Sequence, residues 1–368
     1  MEDYQYIDTQ VQWNEALEHC KKSKLLAVDT EFIRRDTFFP QAALVQLATT
    51  ERCFLLDPLA INDLSGLAEL LTNLDITKVL HACSEDLEVF QHLLGVVPKP
   101  VFDTQIAAGY LGLRFSMGYQ ALVQEVLGIE IDKGETMSNW LQRPLTPRQK
   151  EYAAQDTLYL PEIYIRLQKQ LLETDRLHWL QEDCIGMVSA SERGNNPDYK
   201  KIKMAWKLTP KSLALLRELV DWRDNEAKAR NKPRSWIVSD KLLIEVAANL
   251  PDSRQALHAL KETNSNVISR YGAKLVELTA DIEQIELAHY PAQIPGPLDV
   301  TQTKQIKLMK STVRNWASEW EVAPEQLLRG KEYEAIQRWL KNNREELPVT
   351  LTGWRFKHLI EPLLAAIK

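Results

Sequence analysis

Two carboxylates one residue apart close the stretch Leu25-Leu26-Ala27-Val28-Asp29-Thr30-Glu31-Phe32. Four apolar residues in a row read as a short buried strand, and on a strand positions i and i+2 point to the same face. Asp29 and Glu31 would then project together, roughly 7 Å apart along the backbone. Two like charges at the end of a core strand repel one another and resist burial, and a divalent cation is the usual remedy. The competing reading of this stretch alone is a strand end entering a polar turn, where one Asp is common. A second acidic group, Ser84-Glu85-Asp86-Leu87-Glu88, opens a helix after a strand ending at His81. Acids in a first helical turn are favoured by the helix dipole in any protein. In the third, Tyr152 and Asp156 stand four apart on a helix and share one face, a spacing that is ordinary by itself.

The elements that must position these residues can be read in outline. Leu25–Asp29, Ala43–Ala48 and Cys53–Asp57 are close-set strands, with Thr49–Arg52 as a short hairpin connection. A helix near residues 64–71 leads to a strand at Lys78–His81. Helices follow near 84–94, 103–111, 119–126 and 147–172. Strands first, with helices mixed in and dominating later, indicate a mixed sheet packed by helices. The polar stretch Ser191–Pro197 is a linker, and the chain beyond it is helical. A second break, Tyr290–Pro297, holds three prolines. Val238–Leu243 parallels Ala323–Leu328, and Arg270–Leu275 parallels Gly353–Leu359, at an offset of roughly 80–85 residues, which indicates two tandem helical domains.

Composition narrows the class. The 368 residues are 45% hydrophobic and 26% charged, as in a folded globular protein of two or three domains. The start, MEDYQYIDTQ, is acidic and polar, unlike a signal or transit peptide. No apolar run approaches the roughly 20 residues of a membrane helix, so no membrane is expected as partner. Cys20, Cys53, Cys83 and Cys184 are scattered without a CxxC pair, which suits reduced thiols in a cytoplasmic protein. The net charge of −6 is uneven: residues 1–200 hold 18 Lys and Arg against 30 Asp and Glu, and residues 201–368 hold 27 against 21. A basic rear half suits a phosphate-binding appendage, and chance variation in surface charge is the plain alternative.

Taken together, the three acidic segments resemble the motifs of the DEDD exonuclease superfamily, tyrosine subclass. Asp29 and Glu31 match its DxE motif, Asp86 in HACSEDLEVF its second, and Tyr152 with Asp156 its YxxxD motif. Within that superfamily the chain is most similar to the ribonuclease D family. VDTEFIRRDTFFPQAALVQL (28–47), LLDPL (55–59), FDTQIAA (102–108) and WLQRPLTPRQKEYAAQDTLYL (140–160) carry the likeness, and the two helical units resemble HRDC domains. Ser138-Asn139-Trp140 departs from it, since an Asp is expected before the Trp. The resemblance implies a ribonuclease H-like α/β exonuclease domain over 1–190 and a linker over 191–205. It also implies HRDC-like helical bundles over 206–286 and 301–368, joined by a Pro-rich linker over 287–300.

The same resemblance implies the chemistry. Asp29, Glu31, Asp86 and Asp156 would hold two divalent cations, Mg²⁺ or Mn²⁺, since hard cations prefer oxygen ligands. Asp29 would bridge the pair, Glu31 and Asp156 would serve the nucleophile side, and Asp86 the other. Tyr152 would orient the attacking water, being a poor base at neutral pH. The activity implied is 3′→5′ exonucleolytic trimming of RNA with a free 3′ end, such as a tRNA precursor, with no obligatory protein partner. The helical domains would grip the RNA body, so that removing residues 206–368 would spare turnover of short oligonucleotides. Rival readings are a 3′→5′ DNA exonuclease, which the same carboxylates would serve, and a catalytically silent RNA-binding scaffold.

Candidate RNA contacts are Phe32 and Phe39, which could stack on terminal bases or pack in the core, and Arg34, Arg35, Lys133 and Arg143 as phosphate contacts. Ile306, Met309, Val313, Trp316 and Trp320 recur at helical spacing as a core stripe. Lys304, Lys307, Lys310 and Arg314 run beside it as a basic ridge for a nucleic-acid backbone, or as a merely solvated face. Lys200, Lys201, Lys203, Lys207 and Lys211 form a similar cluster. Asp57 and Asp103 read as turn or cap residues, and His81 as a structural hydrogen-bonding residue.

Overall fold

The apolar run before Asp29 becomes an inner strand of a six-stranded mixed sheet. The computed structural model describes residues 4–131, 138–194, 196–282, 284–341 and 347–366. The strands are β1 (Gln5–Ile7), β2 (Leu25–Ile33), β3 (Gln41–Ala48), β4 (Cys53–Leu56), β5 (Thr77–Leu80) and β6 (Val101–Asp103), in the order β1-β4-β3-β2-β5-β6. β2 pairs antiparallel with β3 and parallel with β5. Burial on both faces explains the continuous apolar stretch of β2, since an inner strand between helical layers needs no polar alternation. The edge strands β1 and β6 escape the sequence reading because three residues are too few to show a period.

Helices α1 (Gln10–Cys20), α2 (Ser65–Thr72) and α3 (Ser84–Leu94) supply the core on one face, where Leu26, Val28, Val45 and Leu47 point. Helices α4 (Thr104–Tyr110), α5 (Tyr119–Leu127), α6 (Pro147–Leu158), α7 (Leu160–Glu173) and α8 (Leu177–Glu192) contribute to the core on the other face, which takes Ala27 and Leu44. Thr146 and Gln149 form a capping box ahead of α6 and Pro147 opens its first turn. The sequence predicts one helix over 147–172; the structure breaks it at Tyr159. Pro161 lacks the N–H that would bond the carbonyl of Thr157, so a new helix starts instead.

The chain forms two compact units. The smaller comprises Asn195–Pro297 together with Arg34–Phe39. Its helices are α9 (Pro210–Arg230), α10 (Arg234–Ile237), α11 (Asp240–Asn249), α12 (Arg254–His258) and α13 (Ser265–Ile282). Leu213, Leu216, Leu243, Val246 and Leu275 form its core. The larger unit holds the sheet, α1 to α8 and the C-terminal segment Leu298–Lys368. That segment comprises α14 (Val300–Glu319), α15 (Pro324–Leu327), α16 (Gly330–Lys341), α17 (Gly353–Arg355), a π-helical turn Phe356–Ile360 and α18 (Glu361–Ala366).

Both helical segments begin with a long helix, then a four-residue helix ending in an extended residue, Val238 or Leu328. The sequence parallel of Val238–Leu243 with Ala323–Leu328 therefore pairs non-equivalent elements; α10 corresponds to α15.

The C-terminal segment shares a hydrophobic core with the exonuclease helices. Trp354 stacks on Trp179 with ring centroids 4.5 Å apart, Arg355 pairs with Asp183, and Arg176 Nη2 donates to the carbonyl of Trp320 at 2.7 Å. A Cβ on Gly112, which has φ +79°, would lie 2.2 Å from the carbonyl oxygen of Glu321, so only glycine fits that contact. Removing residues 206–368 would strip part of this core, so the expectation that such a truncation spares turnover of short oligonucleotides depends on the exonuclease fold surviving that loss.

Candidate active site

Three elements bring the predicted acids together. Asp29 and Glu31 lie on β2 opposite Gln46 and Leu44 of β3, and the register shifts between Glu31 and Phe32, where a bulge follows the second carboxylate. Tyr152 and Asp156 lie on α6, which covers the face toward which Asp29 and Glu31 point. Asp86 stands in the first turn of α3, on the other side of β2. Thr30, between the two β2 acids, points to that side and donates its hydroxyl to the Asp86 carboxylate.

The electrostatics confirm that the four share one neighbourhood. Burial first, then the charges of Asp86, Asp156 and Glu31, raise the Asp29 carboxyl well above its usual range. Burial and the charges of Asp156 and Asp86 push Glu31 up to about 9. Burial raises Asp86 and Asp156 to about 7 each, against the opposing hydrogen bonds from Thr30 and Tyr152. Among the described residues no Lys or Arg figures in these main influences, which is the electrostatic setting of a cation site. The four are neighbours rather than a closed cage. Among the described residues no three His, Cys, Asp or Glu side chains converge tightly enough to hold an ion as they stand. Four buried oxygen-donor carboxylates, with repulsion acting on Asp29 and Glu31, fit hard divalent cations.

Tyr152 donates to Asp156, and burial together with the nearby acids raises its phenol above the ordinary value. It stays protonated at neutral pH, so it acts as a donor and not as a base. Tyr119, which the sequence reading passes over, senses the charges of Asp156 and Asp29 and donates its hydroxyl to the carbonyl of Gln155 at 2.8 Å.

Asp103 does more than cap. Its Oδ1 accepts from the backbone N–H groups of Gln105 at 2.8 Å and Ile106 at 3.2 Å. It also accepts from Ala82, and its Oδ2 from Cys83 at 2.9 Å. One carboxylate thus starts α4 and fixes the turn from which α3 presents Asp86. His81 is structural, its ring nitrogens 2.9 Å from Thr104 Oγ1 and 3.0 Å from the Met117 carbonyl.

The candidate RNA contacts scatter. Phe32 is half-buried at the end of β2. Arg34 and Phe39 belong to the smaller unit, where Phe39 meets Phe38 edge-on at 4.9 Å and gives its N–H to Asn231 Oδ1 at 3.1 Å. Lys133 lies outside the described residues. Arg143 has another job: its Nε and Nη2 bind Asp57, while Nη1 and Nη2 reach the carbonyls of Trp140, Gln142 and Ala43. Every guanidinium nitrogen is engaged, which argues against the phosphate contact the sequence suggested. Tyr6 gives its hydroxyl to the same Asp57 at 2.6 Å, and Asp57 also holds the following turn through the N–H of Leu59. Lys304, Lys307 and Arg314 are exposed along α14, and Lys310 leans over the Tyr333 ring at 5.7 Å.

Known proteins resemble this chain along nearly its whole length. A family model described as 3′-5′ exonuclease matches residues 4–172, and an HRDC domain model matches 212–279. The chain is 42% identical to ribonuclease D of Pseudomonas paraeruginosa over 346 residues, covering 93% of this chain and 92% of that one. Ribonuclease D of Haemophilus influenzae is 36% identical, with 95% and 88% covered. The crystal structure of Escherichia coli RNase D, described as an exoribonuclease involved in structured RNA processing, superposes with a TM-score of 0.91 at 32% identity, covering 98% of each chain. A protein from Bifidobacterium adolescentis shares the fold at a TM-score of 0.68 and 21% identity, covering 99% and 97%. Exonuclease and HRDC regions in this order, with likeness along nearly the whole length of such relatives, mean that the chain belongs to the ribonuclease D family of 3′→5′ exoribonucleases, which act on RNA and use divalent metal.

Proposed function

We propose that Asp29, Glu31, Asp86 and Asp156 hold two divalent cations, Mg²⁺ or Mn²⁺, and that the enzyme trims single-stranded 3′ tails of structured RNA such as tRNA precursors. One observation carries the metal reading: four buried acids from three elements meet where the charges of Asp86 and Asp156 raise both Asp29 and Glu31, with no basic residue among the main influences. When bound, the cations supply water activation and neutralise charge developing on the scissile phosphate. Asp29, with acids on both sides of β2, suits the bridging position. Glu31 and Asp156 fall to the nucleophile side and Asp86 to the other. Tyr152 keeps its proton and orients the attacking water. The product is a 5′-mononucleotide, because hydrolysis releases the 3′ oxygen of the remaining chain.

Phe32, next to Glu31, suits a terminal base. The exposed row Lys304, Lys307 and Arg314 on α14, with Lys310 beside it, suits an RNA backbone. Residues 206–286 and 301–368 are read as two HRDC-like domains that hold the RNA body, after a catalytic domain over 1–190. The involvement of the Escherichia coli relative in structured RNA processing supports that substrate class. The compartment proposed is the cytoplasm, which the four scattered cysteines suit. Among the described residues no helix is long and apolar enough to cross a membrane.

The test is digestion of a 5′-labelled RNA with an unpaired 3′ tail, in Mg²⁺, in Mn²⁺ and in EDTA, beside Asp29→Asn and a matched DNA. The expected result is a ladder shrinking from the 3′ end on RNA, absent in EDTA and in the variant. Equal degradation of DNA would favour the DNA exonuclease, and intact RNA in every lane with binding retained would favour a scaffold.

A further inference from the structure

Gln46 is a core residue that packing does not explain. It lies on β3 directly opposite Asp29. Residues directly opposite in an antiparallel pair turn their side chains to the same face, with Cβ atoms about 4.5–5.5 Å apart. Gln46 is 0% exposed, and neither its Oε1 nor its Nε2 has a hydrogen-bond partner. Among the described residues it is the only side chain with two buried polar atoms unpaired.

A buried amide without partners destabilises a fold, and an apolar side chain of similar size would fill the space without that penalty. Trp13, Trp140 and Trp179 also leave indole N–H groups unpaired, but there the ring supplies apolar bulk. A buried Gln offers a core little besides its amide. Its neighbours on β3, Val45 and Leu47, show that the strand takes aliphatic residues freely. Carboxylates that bind metals are commonly oriented by a second hydrogen-bonding group behind them, and Gln46 stands where such a group for Asp29 would be.

We propose that Gln46 is a positioning residue: its Nε2–H donates to the Asp29 carboxylate when that carboxylate binds a cation, holding it in the orientation that faces Glu31 and Asp156. This rests on the divalent-ion reading above. The test compares wild type with Gln46→Met and Gln46→Leu, two apolar side chains of similar volume, by thermal melting in EDTA, melting across a Mn²⁺ titration, and hydrolysis of a short RNA.

The expected result has three parts. Metal-free Tm rises by a few degrees in both variants. The Mn²⁺ concentration for half-maximal stabilisation rises about tenfold, and kcat falls about tenfold with KM within about twofold, in the range known for groups that orient metal ligands. Variants that match wild type in the Mn²⁺ titration and in kcat would overturn the proposal, as would a lowered metal-free Tm, which would make Gln46 a structural residue. A wild-type protein with no Mn²⁺-dependent stabilisation and EDTA-resistant hydrolysis would instead sink the divalent-ion reading, and this inference with it. Wild type responding normally while the variants do the same sinks Gln46 alone.

Discussion

The hydroxyl of Thr30 donates to the carboxylate of Asp86, joining the residue between Asp29 and Glu31 to the first turn of α3. Both partners are buried, at 7% exposure each. The bond lies on the Asp86 face of β2, and the Thr30 backbone links it to Asp29 and Glu31 on the opposite face, so a single side chain ties Asp86 to the strand that carries the other two acids. Thr30→Val keeps the β-branched shape and leaves Asp86 without this donor. It is expected to cost about 1–3 kcal/mol in a urea melt and to lower kcat/KM on a short RNA by about 10–100-fold. Thr30→Ser should stay within about threefold of wild type. Equal losses in both variants would mean that the methyl group, not the hydroxyl, matters.

Asp103 is a second point at which one carboxylate serves two elements. It is 1% exposed and accepts from four backbone N–H groups, two opening α4 and two in the turn before α3. Asp103→Ala would leave those donors buried and unpaired, and a loss of about 2–4 kcal/mol follows from a lost cap plus two further bonds. Because α3 carries Asp86, activity should fall by more than the unfolded fraction explains. Activity that simply tracks the folded population across a urea series would show that the turn does not govern Asp86.

Much of this was legible in the residues. The apolar run before Asp29, the acids on α3 and the YxxxD spacing on α6 each announce an element, because burial pattern and helical period are local properties. The residues around those acids were not legible. Thr30, Gln46 and Tyr119 are ordinary residues in ordinary positions, and only strand register and helix placement put Thr30 on Asp86, Gln46 opposite Asp29 and Tyr119 on the backbone of Gln155 beside Asp156. Arg143 fails in the opposite direction. A basic residue near a catalytic motif reads as a phosphate contact, yet residues distant in sequence, Asp57 and Ala43, claim its donors. The C-terminal segment misleads for the same reason. Its helical repeat announces a separate bundle, while the stacking of Trp354 on Trp179 depends on residues far apart in the chain.

That stacking makes a prediction about truncation. A chain ending at residue 297 loses Trp354, Met309 and Val313 from the core that holds Tyr110 and Trp179, and with them Arg355, which bonds the Tyr110 hydroxyl and Asp183. It is expected to aggregate or to melt far below the full chain, and to bind a dye for exposed apolar surface. A truncated protein that melts cooperatively near the wild-type temperature would show that the exonuclease fold does not need the segment.

Asn231 supports a prediction in the smaller unit. It ends α9 in the left-handed region at φ +48°, and its Oδ1 accepts from the N–H groups of Phe38 and Phe39 at 3.0 and 3.1 Å. Asn231→Gly relieves the backbone, a gain of up to about 1 kcal/mol. It also deletes two hydrogen bonds worth about 1 kcal/mol each. The net expectation is a loss of about 1 kcal/mol by denaturant melting, with Asn231→Asp, which keeps the acceptor, close to wild type. A Gly variant as stable as wild type would mean that the segment Arg34–Phe39 does not depend on this residue.

Lys78 yields the pH dependence. Its side chain is fully buried on β5, and Nζ donates to the carbonyls of Asn73 and Ile76, each at 2.6 Å. Burial pushes the ammonium down to about 7 from an ordinary 10.5. Between those two values the unfolded chain binds the proton that the folded chain has shed, so stability rises with pH across that window. The slope from this one group approaches about 1.4 kcal/mol per pH unit at most. Below pH 7 both states carry the charge, and the folded protein bears the full desolvation penalty. Lys78→Met removes the titration and the penalty together. The variant should be more stable than wild type at pH 6, with the advantage shrinking steadily toward pH 10, as read by urea melts at four pH values. A constant difference across the series would mean that Lys78 keeps its proton throughout, its two carbonyl partners outweighing burial. A Lys78→Met protein less stable at every pH would mean that those two hydrogen bonds hold β5 to its neighbours more strongly than the buried charge opposes it.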